Sequence, residues 1–568
     1  MRLLIKIFAI VFVIISCNSS KESLGRLKSS SSKNIDDKNK YWFRKDYSED
    51  GIPGISVDKW YNETSKKLKN KIIVAVIDTQ IDLQHEDLVG QFWKNEKEIP
   101  NNEIDDDNNG YVDDVNGWNF MGTKSKNYIV WANYEYIRVI RKYKKIFDNK
   151  NLEDIDKEDI NDFVEYKRAL KKYDDERTYH KNWLDALNYS VDLFPLVKDT
   201  LKHFFPKEDY SYKQLDSMYQ KYKINDKTFR QRRLDKDKDL GALIGFMKLR
   251  FDFDEKTIEK LKNKREQVDS LYNKSINLDY NERLFIENNS ETLVKGYGIN
   301  NLNLEIKGIR KYNSHNTEVS SVFAANSENE LGIKGFSNNI KIMPLTITAS
   351  GDEHDKDIAL AIRYAVDNGA KVINMSFTKE FSLNKDWVFE AIKYAEKHNV
   401  LLVHCSGNDS YNIDKEQKYP NDYDYINSSE ISNNFINVGS ITKKIDSTFV
   451  SDFSNYGKKN VDLFAPGEQI YVAMPNNKYD FDSGTSLAAP MVSGTAALLW
   501  LYYPKLTVQE VKQIILESGT SYDIDVLVPG GEGKKLPFKE LSKSGKVLNA
   551  YNAMKMAKEM SKRKNEKH

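Results

Sequence analysis

The sequence contains only two cysteines, and they do not form an available pair. Cys17 ends an N-terminal apolar run, which leaves Cys405 alone in the rest of the 568-residue chain. A disulfide framework is therefore excluded, and a packed core or a bound metal ion must supply the stability of the fold.

Net charge is almost absent as well. Lysine and arginine (86) balance aspartate and glutamate (85), which leaves a formal net charge of +1. Because no overall field of one sign surrounds the protein, we predict no nucleic-acid partner. The hydrophobic content of 40% is sufficient for a packed interior, so a globular protein is expected and its partner has to be inferred from local sites.

The apolar run at the N-terminus is too short to cross a bilayer. It covers residues 7–15, whereas a spanning helix needs about 20 apolar residues. Arg2 and Lys6 precede it, which is typical of an export signal, and the segment IISC at 14–17 resembles a bacterial lipobox. We predict a signal peptide over residues 1–16 and an acylated Cys17 that anchors the protein to a membrane of the bacterial cell envelope. An ordinary cleaved signal peptide with an incidental Cys17 is the alternative, and the sequence specifies neither the membrane nor its face.

Strand and helix signals alternate along much of the chain. Residues 17–40 are rich in Ser, Lys and Asn and predict a disordered tether. The run IIVAVI at 72–77 is continuous and mostly β-branched, as in strands that are buried on both faces of a parallel sheet. The alternation predicts an α/β fold with a doubly wound, mainly parallel sheet. Further strands are predicted at residues 341–345, 371–376 and 400–405, and helices at 357–368 and 385–398.

A long helical segment interrupts this pattern. Between residues 123 and 275, Lys, Asp, Glu and Tyr dominate and apolar residues recur at helical spacing, so we predict an inserted helical module. Its simplest interpretation is a helical decoration of the core, and a specific binding surface is the alternative. The module divides the α/β domain into a first part at 41–122 and a second part at 276–555, followed by a charged tail at 556–568.

Three polar residues stand in settings that suit nucleophilic catalysis. Asp78 ends the first predicted strand, and His315 precedes an apolar helix with small residues. Ser486, in the segment GTSLAAP at 484–490, begins another helix with Pro490 in its tolerated first turn. Acyl transfer by a serine enzyme needs a hydroxyl, an imidazole that takes its proton and a carboxylate that orients the imidazole. Each residue alone is ordinarily a cap or a turn former, but together they supply a candidate for each of the three groups.

The order Asp, His, Ser and the segments around these residues resemble the subtilisin-like (subtilase) family. The resemblance covers residues 42–125 and 297–554, and its most specific segment is GTSLAAP, which is similar to the family's GTSMAAP. It implies that Ser486 is the nucleophile, His315 the base and Asp78 the orienting carboxylate. It also implies an oxyanion donor, Asn408, from the segment SGN at 406–408. Residues implied in substrate binding are Ser376, Phe377, Gly407 and Gly484.

The resemblance implies a serine endopeptidase that hydrolyses protein or peptide substrates through an acyl-enzyme. It is expected to be a monomer, with no cofactor in the chemistry. The sequence departs from the family pattern at Gln80, Asn316 and Thr378, where the family usually has Gly and where larger residues crowd the site. A subtilase-like binding protein without useful catalysis is therefore the alternative function. A surface adhesin or structural lipoprotein would predict internal repeats, and none is evident in the sequence.

An acidic loop follows the first predicted strand. The segment DDDNNGYVDD at 105–114 places oxygen-bearing side chains at loop positions 1, 3, 5 and 9 and glycine at position 6, which is typical of calcium-binding loops. The predicted ligands are Asp105, Asp107, Asn109 and Asp113. Position 12 is Asn116 and not the bidentate Glu of an EF-hand, so a weaker structural Ca²⁺ site is expected. A plain acidic turn is the alternative.

Overall fold

The computed structural model describes residues 40–566, except 65–67, 69, 124, 126, 254, 288, 304–314 and 426. The predicted signal peptide, Cys17 and all but the last residue of the predicted tether lie outside the described residues. The chain divides into two compact units. The first comprises the described residues up to Val130 and from Arg283 onward, and the second is Trp131–Glu282.

The first unit is built on a nine-stranded sheet. The strands in chain order are β1 (Ile72–Asp78), β2 (Trp118–Asn119), β3 (Ile340–Thr346), β4 (Val372–Met375), β5 (Leu401–Cys405), β6 (Phe435–Ile441), β7 (Leu463–Pro466), β8 (Thr520–Ser521) and β9 (Lys546–Val547). Across the sheet the strand order is β8-β9-β7-β6-β5-β4-β1-β3-β2, and all neighbours are parallel except β8 and β9.

Helices cover both faces of this sheet. Successive side chains of a strand point to opposite faces, and in β1 Val74 belongs to one hydrophobic cluster and Ala75 to the other. The prediction of a doubly wound, mainly parallel α/β sheet is therefore confirmed. The helices of the first cluster include His315–Ala324, Thr485–Tyr502 and Val508–Ser518, and those of the second include Asp355–Asp367 and Lys385–Lys397.

The remaining elements of the first unit are short. The two-stranded pairs are Ile470–Met474 with Lys478–Asp482, Asp525–Leu527 with Lys535–Pro537, and Tyr423–Asp424 with Ser429–Glu430. The short helices are Trp42–Arg44, Tyr47–Asp50, Val57–Glu63, Arg283–Ile286 and Phe538–Glu540.

The elements predicted for the α/β part agree with the structure to within one or two residues. The strand predicted at 371–376 is Val372–Met375, and the helix predicted at 357–368 is Asp355–Asp367. The helix begins earlier than predicted because the side chain of His354 accepts a hydrogen bond from the backbone N–H of Lys356 and caps the first turn.

The second unit is helical and has its own core, which includes Val197, Leu215, Ile244 and Met247. The helical module was predicted at residues 123–275, whereas the compact unit is Trp131–Glu282. Glu282 stays with this unit because its buried carboxylate accepts a 2.7 Å hydrogen bond from Arg138. The helices are Glu135–Phe147, Leu152–Asp154, Lys157–Asp159, Ile160–Lys202, Tyr212–Tyr222, Phe229–Asp235, Leu240–Asp252, Ile258–Ser270 and the π-turn Leu271–Ser275.

The C-terminal segment differs from the prediction of a charged tail at 556–568. The described part of it continues the helix Ala550–Glu566. Ala553 and Ala557 are fully buried and Met560 packs against the same core, so apolar residues at helical spacing hold one face of this segment. The many lysines of the segment conceal that pattern in the sequence. Among the described helices, none combines the length and the apolar character that a membrane crossing requires.

Candidate active site

Asp78 and His315 meet although 237 residues separate them. Asp78 is the last residue of β1, and His315 is the first residue of the His315–Ala324 helix. His315 Nδ1 lies 2.8 Å from Asp78 Oδ2 and 2.9 Å from Oδ1. The side chain of Asp78 is 2% exposed and that of His315 is 28% exposed, so the imidazole lies between a buried carboxylate and the protein surface.

The charge of Asp78 controls the protonation of His315. Burial by itself lowers the pKa of His315, because it disfavours the charged imidazolium. The negative charge of Asp78 and the hydrogen bond to it, with smaller contributions from Glu318 and Asp482, outweigh burial and raise this pKa to about 10. The pair therefore stabilises the imidazolium that a general base becomes when it takes a proton.

Ser486 is the second residue of the Thr485–Tyr502 helix and is partly exposed. Pro490 was predicted in the first turn of this helix but lies in the second, where it has no N–H for the carbonyl of Ser486, four residues earlier. The hydroxyl of Ser376, directly after β4, donates a 2.9 Å hydrogen bond to that carbonyl. Ser376 in turn accepts a 2.9 Å hydrogen bond from Asn374 Nδ2, so the helix that carries Ser486 is bonded to the end of β4.

Phe377 follows Ser376 and is buried. Its backbone carbonyl accepts a 2.7 Å hydrogen bond from Nε2 of His404, and burial lowers the pKa of His404 to about 4. His404 is therefore a neutral histidine that supports this segment from within the core.

The side chain of Asn408 has a fixed orientation. Its carbonyl oxygen accepts hydrogen bonds of 2.9 Å from the backbone N–H of Thr485 and 2.8 Å from the Thr485 hydroxyl. The amide nitrogen consequently faces away from Thr485. A Cβ atom built on Gly484 would lie 2.7 Å from Ser486 Oγ and 3.5 Å from Asn408 Nδ2, so both polar atoms converge on the space above this glycine.

Among the described residues, no hydrogen bond joins Ser486 Oγ to His315. In proteins without bound substrate, such contacts are often long and tighten only in the substrate complex. The structure thus brings Asp78 and His315 into direct contact, and it brings Ser486 and Asn408 to a common space.

Gly407 is required by its backbone conformation. Its φ of +101° lies in the region that side chains disfavour, and an added Cβ would lie 2.4 Å from Asn455 Nδ2. The Gly407 N–H donates a 3.1 Å hydrogen bond to the hydroxyl of Thr485. Gly407 therefore positions Asn408 next to the start of the Thr485–Tyr502 helix.

The residues that depart from the family pattern are buried and accommodated. Asn316 donates a 3.0 Å hydrogen bond from its side chain to the carbonyl of Thr79, directly after Asp78. Gln80 donates a 3.2 Å hydrogen bond to the carbonyl of Asn303. The hydroxyl of Thr378 lies 3.2 Å from the Cβ position of Gly407, so Thr378 narrows the space beside that glycine. Asn316 ties the helix of His315 to the end of β1 and does not displace either residue of the pair.

Two of the predicted calcium ligands, Asp105 and Asp107, form a carboxylate cluster with Glu98, which was not predicted. Oxygen atoms of Glu98, Asp105 and Asp107 all lie within 4.8 Å of one another. The carboxylate of Asp113 instead accepts hydrogen bonds from the backbone N–H groups of Asn102 and Glu103. Glu98 lies outside the motif and was missed, since no spacing rule connects it with the loop.

The electrostatics of this cluster favour a cation. Burial and the charges of Asp114 and Asp107 raise the pKa of Glu98, although backbone N–H groups at residues 106 and 107 oppose this. Asn109 is turned to other partners: its Oδ1 accepts from Tyr111 N–H and its Nδ2 donates to Asp114. Three carboxylate oxygens at this spacing match the hard oxygen ligands that Ca²⁺ prefers.

Comparison with known proteins identifies the family. The model of the subtilase family matches residues 209–545, which is more than half of the chain. The chain belongs to the subtilase family. The matched region of this subtilase contains His315, Asn408 and Ser486, and Asp78 lies before it.

Individual relatives match shorter regions of this subtilase. The cell wall-associated protease of Bacillus subtilis is 36% identical over 219 residues, or 38% of this chain and 22% of the relative. The major intracellular serine protease of the same species is 35% identical over 198 residues, or 34% of this chain and 57% of the relative. The solved structure of the prenylagaramide maturation protease PagA is 26% identical, covers 43% of this chain and 82% of that chain, and has a TM-score of 0.35. The alignments thus span less than two thirds of the two curated relatives.

The contact between Asp78 and His315 predicts that the pKa of His315 is shifted upward from its ordinary value. In the Ser486→Ala variant, the NMR signal of His315 should titrate above the ordinary value of 6.5, because the Asp78 carboxylate favours the charged imidazole. Asp78→Asn should lower this pKa, since it removes the charge and keeps the shape of the side chain. His404 serves as an internal control, because its pKa of about 4 lies on the opposite side of the ordinary value. A His315 pKa at or below 6.5 in the presence of Asp78 would contradict the assignment.

Proposed function

We propose that this subtilase is a serine endopeptidase that acts through an Asp78-His315-Ser486 triad. The observation that carries this proposal is the convergence of Ser486 Oγ and Asn408 Nδ2 on the space above Gly484. A nucleophile and an oxyanion donor must flank one carbonyl carbon in this way. The hydrogen bond between His315 and Asp78 supplies the oriented base that the nucleophile needs.

The proposed reaction begins when Ser486 Oγ attacks the substrate carbonyl carbon and His315 Nε2 takes the hydroxyl proton. Asp78 holds the Nδ1–H and stabilises the positive charge on the imidazole. The carbonyl oxygen becomes an oxyanion, which Asn408 Nδ2–H and the N-terminal end of the Thr485–Tyr502 helix stabilise. When the C–N bond breaks, His315 returns its proton to the leaving amine. Water then attacks the carbonyl carbon of the acyl-enzyme while His315 takes its proton. The bond to Ser486 Oγ breaks, His315 returns the proton to Ser486, and the carboxylic acid product leaves.

We propose that an extended peptide binds along the segment after β4, where Ser376 and Phe377 lie, and is bordered by Gly407 and Gly484. The bond from Ser376 to the Ser486 carbonyl supports this assignment, because it fixes the segment relative to the nucleophile. The substrates are accordingly proteins or peptides, and their P1 preference depends on the space that Thr378 narrows.

The first test uses the nucleophile and the base. Ser486→Ala and His315→Ala should each reduce kcat by about 10⁶-fold and still fold, because the triad acts as a unit. A fluorophosphonate probe should label the natural protein at Ser486 and should not label Ser486→Ala. A folded natural protein that neither hydrolyses peptides nor reacts with the probe would instead favour the alternative of a binding protein without catalysis.

The second test concerns Asn408. Asn408→Ala should lower kcat by about 10² to 10³ with little change in KM, as when one such donor is removed from subtilisin, because the oxyanion exists only after attack. Asn408→Asp is the matched variant: it keeps an acceptor for Thr485 but replaces the donor with a charge that repels the oxyanion. If Asn408 only formed a turn, Asn408→Ala would lower the melting temperature and leave kcat within about threefold.

We propose that the acidic loop binds a structural calcium ion through Glu98, Asp105 and Asp107. Calcium should raise the melting temperature, because a ligand bound only by the folded state stabilises it. Glu98→Gln and Asp107→Asn should reduce this response. Asp113→Asn is the matched control, since its carboxylate bonds to backbone N–H groups outside the cluster, and it should retain the response. If neither calcium nor a chelator changes the melting temperature, the loop is a plain acidic turn.

We propose that Cys17 carries acyl chains and holds the protein on a membrane of the cell envelope. Support comes from the lipobox-like segment at 14–17 alone. In a detergent phase separation, the mature natural protein should enter the detergent phase and Cys17→Ser should not. Mass spectrometry of the N-terminal peptide would give the acyl mass. A mature protein that remains in the aqueous phase would indicate an ordinary cleaved signal peptide.

A further inference from the structure

The loop at residues 347–354, between β3 and the Asp355–Asp367 helix, adjoins the carboxylate of the triad. Thr346 ends β3 and pairs with Asp78 at the end of β1. The first loop residue, Ile347, donates a 3.0 Å hydrogen bond from its N–H to the backbone carbonyl of Asp78. The loop thus begins at the strand end that holds His315.

The far end of the same loop is tied to the segment that contacts Ser486. Lys379 Nζ donates a 2.7 Å hydrogen bond to the backbone carbonyl of Glu353 and lies 2.6 Å from Asp355 Oδ1. Lys379 is three residues after Ser376, whose hydroxyl bonds to the carbonyl of Ser486. The loop therefore spans the distance between the Asp78 side and the Ser486 side of the site.

Two buried polar atoms of this loop have no hydrogen-bond partner among the described residues: Thr348 Oγ1 and Glu353 Oε2. Glu353 is 2% exposed, so bulk solvent does not reach its carboxyl group. A buried acceptor without a donor destabilises the folded state, and more so when it is charged. Such an atom beside a catalytic site suggests a ligand that supplies the donor.

The charged groups around Glu353 indicate whether that ligand is positively or negatively charged. Burial and the negative charges of Asp352 and Asp78 raise the pKa of Glu353 to about 8, and Lys379 opposes this only in part. The ammonium of Lys379 is bonded to Asp355 and to a backbone carbonyl. A second positive charge would stabilise the ionised carboxylate more than a neutral donor would, and a negative group would destabilise it.

We propose that Glu353 is the carboxylate of a substrate subsite that takes the side chain of arginine or lysine. The proposal rests on the proposed endopeptidase function and names its substrate class. Glu353 lies below the surface, and arginine and lysine each have a long unbranched stem that can carry a terminal charge to such a depth. Their N–H groups would donate to Oε2 and make a charge-assisted hydrogen bond.

The test compares matched peptides that carry arginine or neutral citrulline at one position, P1 to P4 in turn. At a pH above the pKa of about 8, the natural protein should cleave the arginine peptide about ten- to a hundredfold faster in kcat/KM at one of these positions. Glu353→Gln should bring this ratio near one, because it removes the charge that favours the arginine peptide. Thr348→Val is the matched control: it alters the same loop without removing charge, and it should retain most of the ratio.

The natural protein alone keeps the proposal testable if Glu353→Gln does not fold. The ratio of arginine to citrulline cleavage should fall as the pH drops through the pKa of Glu353, because protonation removes the attraction while arginine stays charged. Protonation of His315 lowers the cleavage rate of both peptides equally, so its effect cancels in the ratio. Cleavage of citrulline peptides without an arginine preference at any position would overturn the subsite and leave the endopeptidase intact. Failure to cleave any peptide or to react with the fluorophosphonate would overturn both.

Discussion

The site depends on the parallel register of the central strands. Because β1, β3, β4 and β5 run in the same direction, their carboxyl ends lie at one edge of the sheet. Asp78 ends β1, Ser376 follows β4, and Asn408 follows β5 by three residues. A strand reversed or shifted by one residue would send these side chains to another edge or face. The contacts between residues far apart in the sequence follow from this single constraint.

The sequence predicted the strands well and indicated Asp78, His315 and Ser486 as a candidate triad, because both features leave local signals. Buried parallel strands are continuous apolar runs, and the segment around Ser486 is specific in its residues and their order. Glu98 could not be predicted, since it approaches Asp105 and Asp107 only after the chain folds. The end of the chain was misjudged because lysines between Ala553 and Met560 hide the apolar spacing of a helix. Features with a local sequence pattern could thus be predicted, whereas features that depend on tertiary contacts could not.

The substitutions near the site illustrate how a buried polar group is tolerated. Asn316 stands where the family usually has Gly and is completely buried, which would be costly without partners. It bonds to Thr79 and accepts from Ser320, so both ends of its amide are used. The size of Asn316 had indicated crowding of the site. Its side chain instead connects the helix of His315 to the residue after β1.

Pro490 gives the helix of Ser486 an unusual attachment. A helix normally holds each carbonyl by an N–H from its own next turn, and at Ser486 proline cannot supply one. The side chain of Ser376 donates to that carbonyl from the end of β4. The position of Ser486 is thereby fixed relative to the sheet as well as within its own helix. Small sliding or fraying of the helix start would have to carry the β4 end with it, so the attacking oxygen and the proposed peptide-binding edge behave as one mechanical element.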